Sequence, residues 1–122
     1  GVEAKAAPAE VPAEMPTEII TIPKGQVQYF VHSLTQKKFV PEIGRKVTIP
    51  GYENYQFFAT KTKQGTWRIT EGQTGALIGS ARGTLKNAII YSKERIDKLG
   101  SKNFAESIKR TIKQFGKAPL SK

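Results

Sequence analysis

The chain has 122 residues, enough for one domain of ordinary size, and 38% of them are hydrophobic, including one Trp, four Tyr and six Phe. It carries 20 Lys and Arg against 10 Asp and Glu, a net charge of +10, and no cysteine. These values exclude a disulfide framework, thiolate metal sites and a cysteine nucleophile, and no apolar run approaches the roughly 18 residues needed to span a bilayer.

The charge is unevenly placed. Residues 1–23 hold Lys5 against Glu3, Glu10, Glu14 and Glu18, a net of −3, whereas residues 24–122 hold 19 Lys and Arg against six acids, a net of +13. A body this basic is drawn to polyanions, namely nucleic acid, an anionic membrane or an acidic protein. The plainer role for such charge is solubility.

In chain order, "GVEAKAAPAEVPAEMP" is an Ala/Pro/Glu-rich stretch whose prolines (Pro8, Pro12, Pro16) oppose a stable helix. It predicts an extended, disordered linker over 1–16, with a single domain over 17–122. "TEIITI" and "QVQYFVHS" are rich in β-branched and aromatic residues and are separated by the turn signal "PKG", so each predicts a strand. "TQKKF" reads as a polar turn into "FVPEI", and "GRKVTIPG" as a short separate strand bounded by Gly44 and Pro50-Gly51. A meander follows. "YQFFATK" is a strand, and "TKQG" a hairpin with Gly65 suited to a left-handed position. "TWRITE" places Trp67 and Ile69 on one face and Arg68 and Thr70 on the other; "GQTG" turns again, and "ALIGS" is the next strand.

Two helices complete the chain. Leu85, Ala88, Ile89, Ile96 and Leu99 form one apolar stripe, with Thr84 as N-cap and Gly100 just past the end. In the second, Phe104, Ile108, Ile112 and Phe115 form the stripe, Asn103 and Glu106 fit a capping box, and Gly116 and Pro119 stop it. Strands followed by helices predict an α+β domain: an antiparallel meander of about four to six strands with two C-terminal helices packed on one face.

The glycine-rich run "GQTGALIGSARGT" (Gly72, Gly75, Gly79, Gly83) leads into the first helix but lacks the lysine followed by Ser or Thr that a phosphate-binding loop requires, and it lacks dinucleotide spacing. Each glycine instead fits a local role: the turn at Gly72 and Gly75, a close approach or bulge at Gly79, the helix start at Gly83. Ser80, Arg82, Gly83 and Thr84 leave room for one backbone phosphate at the helix N-terminus. The aromatic cluster Tyr52, Tyr55, Phe57, Phe58 and Trp67 lies among Lys61, Lys63 and Arg68. Aromatics flanked by cations on an open sheet hold single strands by stacking. Phe57 and Trp67 are expected in the core, which sends Phe58 and Arg68 to the opposite face. The second helix also has a basic stripe of Lys102, Lys109, Lys113 and Lys117, with Arg110 nearby, most simply a solvated outer face.

Catalysis has little support. His32 is the single histidine, and the six acids of the body (Glu42, Glu53, Glu71, Glu94, Asp97, Glu106) form no spaced pair. Glu94 and Lys98, and Glu106 and Arg110, are expected to be i,i+4 surface pairs. No Gly-x-Ser-x-Gly elbow is present. No cofactor and no metal are expected.

Across "GTWRITEGQTGALIGSARGTLKNAII" the order of Trp67, Thr74, Gly75, Gly83, Thr84 and Ala88 resembles small accessory domains in proteins of phages, plasmids and conjugative elements. The resemblance implies a module attached by linkers to larger DNA-processing proteins, and it implies no catalytic residue. The expectation is therefore a non-enzymatic, cytoplasmic module that binds DNA or RNA mainly through phosphates, using Lys61, Lys63, Arg68, Arg82 and Lys86, with Phe58 as a stacking residue. The alternatives are an assembly domain that docks a protein partner through a sheet edge or the second helix, and an envelope or secreted domain behind a removed signal peptide.

Overall fold

The computed structural model describes Ile22 and residues 24–119. The expected linker over 1–16 and all of the expected "TEIITI" strand except Ile22 lie outside these residues. The elements are β1 (Val27–Ser33), β2 (Lys38–Val47), β3 (Phe57–Lys61), β4 (Thr66–Glu71), β5 (Leu77–Arg82), α1 (Leu85–Leu99) and α2 (Ser101–Phe115). The five strands form one antiparallel sheet in the order β1-β2-β3-β4-β5, with every neighbour also consecutive in sequence. The protein is therefore an α+β domain: a meander followed by two helices.

Alternation sorts the side chains. Phe57, Ala59 and Ile69 are buried on the face that receives the helices, where they meet Ile49, Tyr52, Ala88, Ile96, Phe104 and Ile108. Helix α1 is capped as its sequence predicts: Thr84 Oγ1 accepts from the Asn87 N–H at 3.1 Å. It lies on β5 and β4, burying Ala88, Ser92 and Ile96. Phe104 of α2 sits in an aromatic group with Tyr55 (5.0 Å), Tyr52 (6.1 Å) and Phe57 (6.4 Å). At its far end Phe115 packs on the His32 ring at 4.5 Å, and beyond it the Ala118 N–H donates to Gln73 O at 2.7 Å.

Four local expectations need correction. "FVPEI" and "GRKV" are one strand, because β2 changes partner midway: residues 38–44 pair with β1, and Arg45, Lys46 and Val47 pair with β3. Pro41 is tolerated because that stretch has a strand on one side only. Helix α2 starts at Ser101, since Gly100 turns the chain directly from one helix into the next; Asn103 is inside the helix, with Nδ2 donating to Leu99 O at 3.0 Å. The ion pair on α1 joins Lys93 to Asp97 at 2.7 Å rather than Glu94 to Lys98. On α2 the expected pair of Glu106 with Arg110 is not joined either.

The change of partner in β2 requires Gly44. A Cβ there would run into the Ala59 carbonyl oxygen and lie 3.1 Å from the Tyr29 ring. The bend folds the β1–β2 hairpin back across the other face of the sheet, where Tyr29 stacks on Phe58 at 4.7 Å and 6°. The hairpin ends against the β4–β5 turn, where the His32 N–H donates to Gly75 O at 2.8 Å. Gly75 has φ +70°, and a Cβ there would be 2.8 Å from His32 N.

Candidate nucleic-acid interface

The glycine-rich run is organised from within. Glu71, fully buried at the end of β4, accepts from the Gln73 N–H (2.8 Å), the Thr74 N–H (2.8 Å) and the Thr74 hydroxyl (2.7 Å). A carboxyl group that accepts three hydrogen bonds from its own turn holds "GQTG" in shape and leaves no inviting cradle for phosphate. Sequence reasoning missed this role; Glu71 followed by Thr74 is the signal that could have revealed it.

At the opposite end of the sheet a different group of residues gathers. The Lys61↔Trp67 and Arg45↔Ala59 registers put Arg45, Lys61 and Trp67 on one face. The Arg45 guanidinium lies 5.7 Å, and the Lys61 ammonium 5.9 Å, from the Trp67 ring centroid. Such contacts contribute about 0.5–1 kcal/mol at exposed sites and hold the cations in place. Trp67 is half-buried, at the rim of the core rather than in it.

The β3–β4 turn completes this end. The Thr62 N–H donates to Thr66 O (2.8 Å) and the Gly65 N–H to Thr62 O (3.0 Å), leaving Lys63 exposed near the tip. The same turn receives the junction of β5 and α1: Arg82 Nη2 donates to Gln64 O (3.1 Å) and the Gly83 N–H to Gly65 O (3.3 Å). Lys86, exposed in the first turn of α1, follows immediately, and that turn contains no acid. Arg45, Lys61, Lys63, Arg82 and Lys86 thus converge from three strands, a turn and a helix start. None is in an ion pair among the described residues; the Lys93–Asp97 pair lies two turns further along α1.

Of the six residues singled out from sequence, the fold brings together Lys61, Lys63, Arg82 and Lys86. Arg68 and Phe58 lie on the opposite face of the sheet. Arg68 is exposed there, near enough to Tyr29 to affect its ionisation. One ring face of Phe58 is already covered by Tyr29, so this side has the second layer that stacking on an open sheet would not allow. The aromatic cluster is split as well: Tyr52, Tyr55 and Phe57 surround Phe104, while Trp67 stands with the cations. Arg45 was missed because its place beside Trp67 depends on the β2–β3 register.

Elsewhere, Tyr52 Oη donates to Asp97 Oδ1 at 2.5 Å, and Lys93 Nζ donates to Asp97 Oδ2 at 2.7 Å. The Lys93 and Tyr52 hydrogen bonds hold the Asp97 carboxyl below the usual carboxylate range, and the Asp97 acceptor pushes the Tyr52 phenol up. This chain ties the loop before β3 to α1. Among the described residues no three His, Asp or Glu side chains form a group that could hold a metal ion. No helix among them is long and apolar enough to cross a membrane. No family model matches the chain, and no curated protein or solved structure matches it significantly.

Proposed function

We propose that this domain is a non-enzymatic module that binds nucleic acid through backbone phosphates, with Arg45, Lys61, Lys63, Arg82 and Lys86 as the contact surface. The observation that carries the reading is the convergence of these five cations at one end, none of them paired with a carboxylate among the described residues. Unneutralised cations spaced over adjoining elements suit a repeating line of phosphates, and the exposed N-terminus of α1 adds a favourable partial charge. Base stacking has a small part here. Phe58 is covered by Tyr29, and Trp67 is lined by Arg45 and Lys61. Phosphate contacts fix position without reading sequence, so limited sequence preference is expected. The resemblance to accessory domains of mobile-element proteins suits such a module, working in the cytoplasm beside a larger DNA-processing partner.

Trp67 is the single tryptophan and stands inside the cationic group, so its emission reports on this site. The test is a titration with a labelled single strand and a labelled duplex, followed by anisotropy and by Trp67 emission at several salt concentrations. Log affinity should fall by roughly 0.7–0.9 per phosphate contact per log unit of salt, and K61A or R82A should each reduce that slope by about one contact. Arg68→Ala, on the other face, should leave the slope unchanged. Absence of binding at low salt, or equal losses from R68A and K61A, would reject the reading.

A further inference from the structure

The chain enters the sheet at the end where the cations gather. β1 begins at Val27, which pairs with Gly44, the neighbour of Arg45. Gln28 pairs with Ile43, whose carbonyl accepts from the Thr60 hydroxyl at 3.1 Å, beside Lys61. The other end of β1 lies away from the cations, where the His32 N–H meets Gly75 O at the β4–β5 turn. The bend at Gly44 therefore sets the entrance of the chain next to Arg45 and Lys61.

What precedes this entrance has the opposite charge. Residues 1–21 hold Glu3, Glu10, Glu14 and Glu18 against Lys5, a net of −3, and the body behind them carries +13. Three of these acids fall in a repeat, Pro8-Ala9-Glu10, Pro12-Ala13-Glu14 and Pro16-Thr17-Glu18, so a carboxylate recurs every four residues. A chain spans at most about 3.6 Å per residue, which gives Glu18 a reach of about 30 Å from Val27 and Glu14 about 45 Å. The basic surface is smaller than that. From Arg45, level with Ala59, to the tip at Lys63 is about 13 Å at the rise of a strand, and from β2 to Arg82 on β5 is about 15 Å across three strand spacings. The segment thus carries anionic groups repeated along a line, as a phosphate backbone does. Its attachment beside Arg45 holds it near the cations at an effective concentration of about millimolar or more.

We propose that the Pro-x-Glu repeats lie over the basic surface, with Glu10, Glu14 and Glu18 set against Arg45, Lys61, Lys63, Arg82 and Lys86, and that nucleic acid binds by displacing them. The displacement rests on the nucleic-acid reading; the contact within the chain does not. The chain has no cysteine, so Met15→Cys accepts a single nitroxide between Glu14 and Glu18. In the 122-residue chain at low salt, without nucleic acid, this probe should broaden the amide signals of residues 45, 61–65 and 82–86 more than those of residues 73–75 and 115–118. Salt of about 1 M, where the Debye length is about 3 Å, should weaken that preference at least about twofold, and so should E10Q/E14Q/E18Q. K61A should reduce it, and Arg68→Ala, on the other face, should not. A segment that is merely tethered there would broaden the same signals whatever its charge. By anisotropy at low salt, E10Q/E14Q/E18Q without the probe should bind a labelled single strand about threefold or more tighter than the wild type, a gain that fades as salt rises. Broadening indifferent to salt and to the glutamine substitutions overturns the contact, as does broadening found only between separate chains. Equal affinities of the glutamine variant and the wild type overturn the displacement. Broadening as expected from a chain that binds no nucleic acid rejects the nucleic-acid reading, and the displacement with it, while the contact stands.

Discussion

Replacing Gly79 with Ala probes the seat of α1 on the sheet. A Cβ at this position would lie 2.7 Å from Ser92 Oγ, 3.2 Å from Tyr91 Cδ2 and 3.4 Å from Ser92 Cα. Either the serine side chain turns away or the helix lifts. Overpacking of this kind costs about 1–3 kcal/mol. Removing a glycine from the unfolded chain returns about 0.4–1 kcal/mol where the backbone is compatible. The expected net loss for G79A is about 1–2 kcal/mol, a Tm decrease of roughly 5–15 °C for a domain of this size. The obstructing Ser92 Oγ is buried and has no hydrogen-bond partner among the described residues. Ser92→Ala alone should therefore be neutral or slightly stabilising, since it removes a buried polar atom that has exchanged water for nothing. In the S92A background the closest contact disappears, so G79A should cost about 1 kcal/mol less than it does alone. Urea unfolding followed by Trp67 emission, with far-ultraviolet circular dichroism as a second probe, measures all four corners of the cycle. Wild-type stability for G79A, or strict additivity with S92A, would refute the close approach of α1 to β5 at this point.

Gly44→Ala places a methyl group against the Ala59 carbonyl oxygen, which is backbone and cannot turn aside; a loss of about 3 kcal/mol or more in the free energy of urea unfolding is expected, exceeding that of G79A. Because the Asp97 carboxyl is held low by Lys93 and Tyr52, its contribution is present above the unfolded carboxylate value of about 3.9 and is lost as pH falls through the lower folded value. Asp97→Asn should flatten the acid limb of a plot of urea midpoint against pH. Burial, and then Glu42, push the Tyr29 phenol up to about 12. A raised value stabilises the fold fully below the unfolded value of about 10 and loses that contribution as pH rises toward 12. Tyr29→Phe should remove the latest step from the phenolate absorbance titration and shallow the alkaline stability loss. Tyr52, raised by Asp97, acts in the same direction, and Y52F should remove a separate part of that loss.

The meander was legible because its signals are local. Gly65 adopts the positive φ that its hairpin position requires, and Thr84 caps α1 through its own hydroxyl. Trp67 and Ile69 share a face because strands alternate, and that holds whatever the strand packs against. Signals that were equally local misled where a neighbour had a better use for the residue. Asn103 and Glu106 form a good capping box in isolation, but Gly100 joins the two helices so tightly that α2 begins ahead of it. Pro41 and Gly44 look like breaks in a strand; they are the stretch where β2 exchanges one partner for another.

Composition, periodicity and turn chemistry by themselves determined the α+β order, most element boundaries, the inward faces of β3 and β4, and the excess of positive charge. Each depends on a residue and its near neighbours in the chain. Only the tertiary structure decided that Tyr29 covers Phe58, that Arg68 lies on the other face from Lys61, and that Arg45 joins Trp67. Strand register and the bend at Gly44 set these contacts. Both follow from how well whole faces pack together, a property of pairs of residues far apart in sequence that no local pattern encodes.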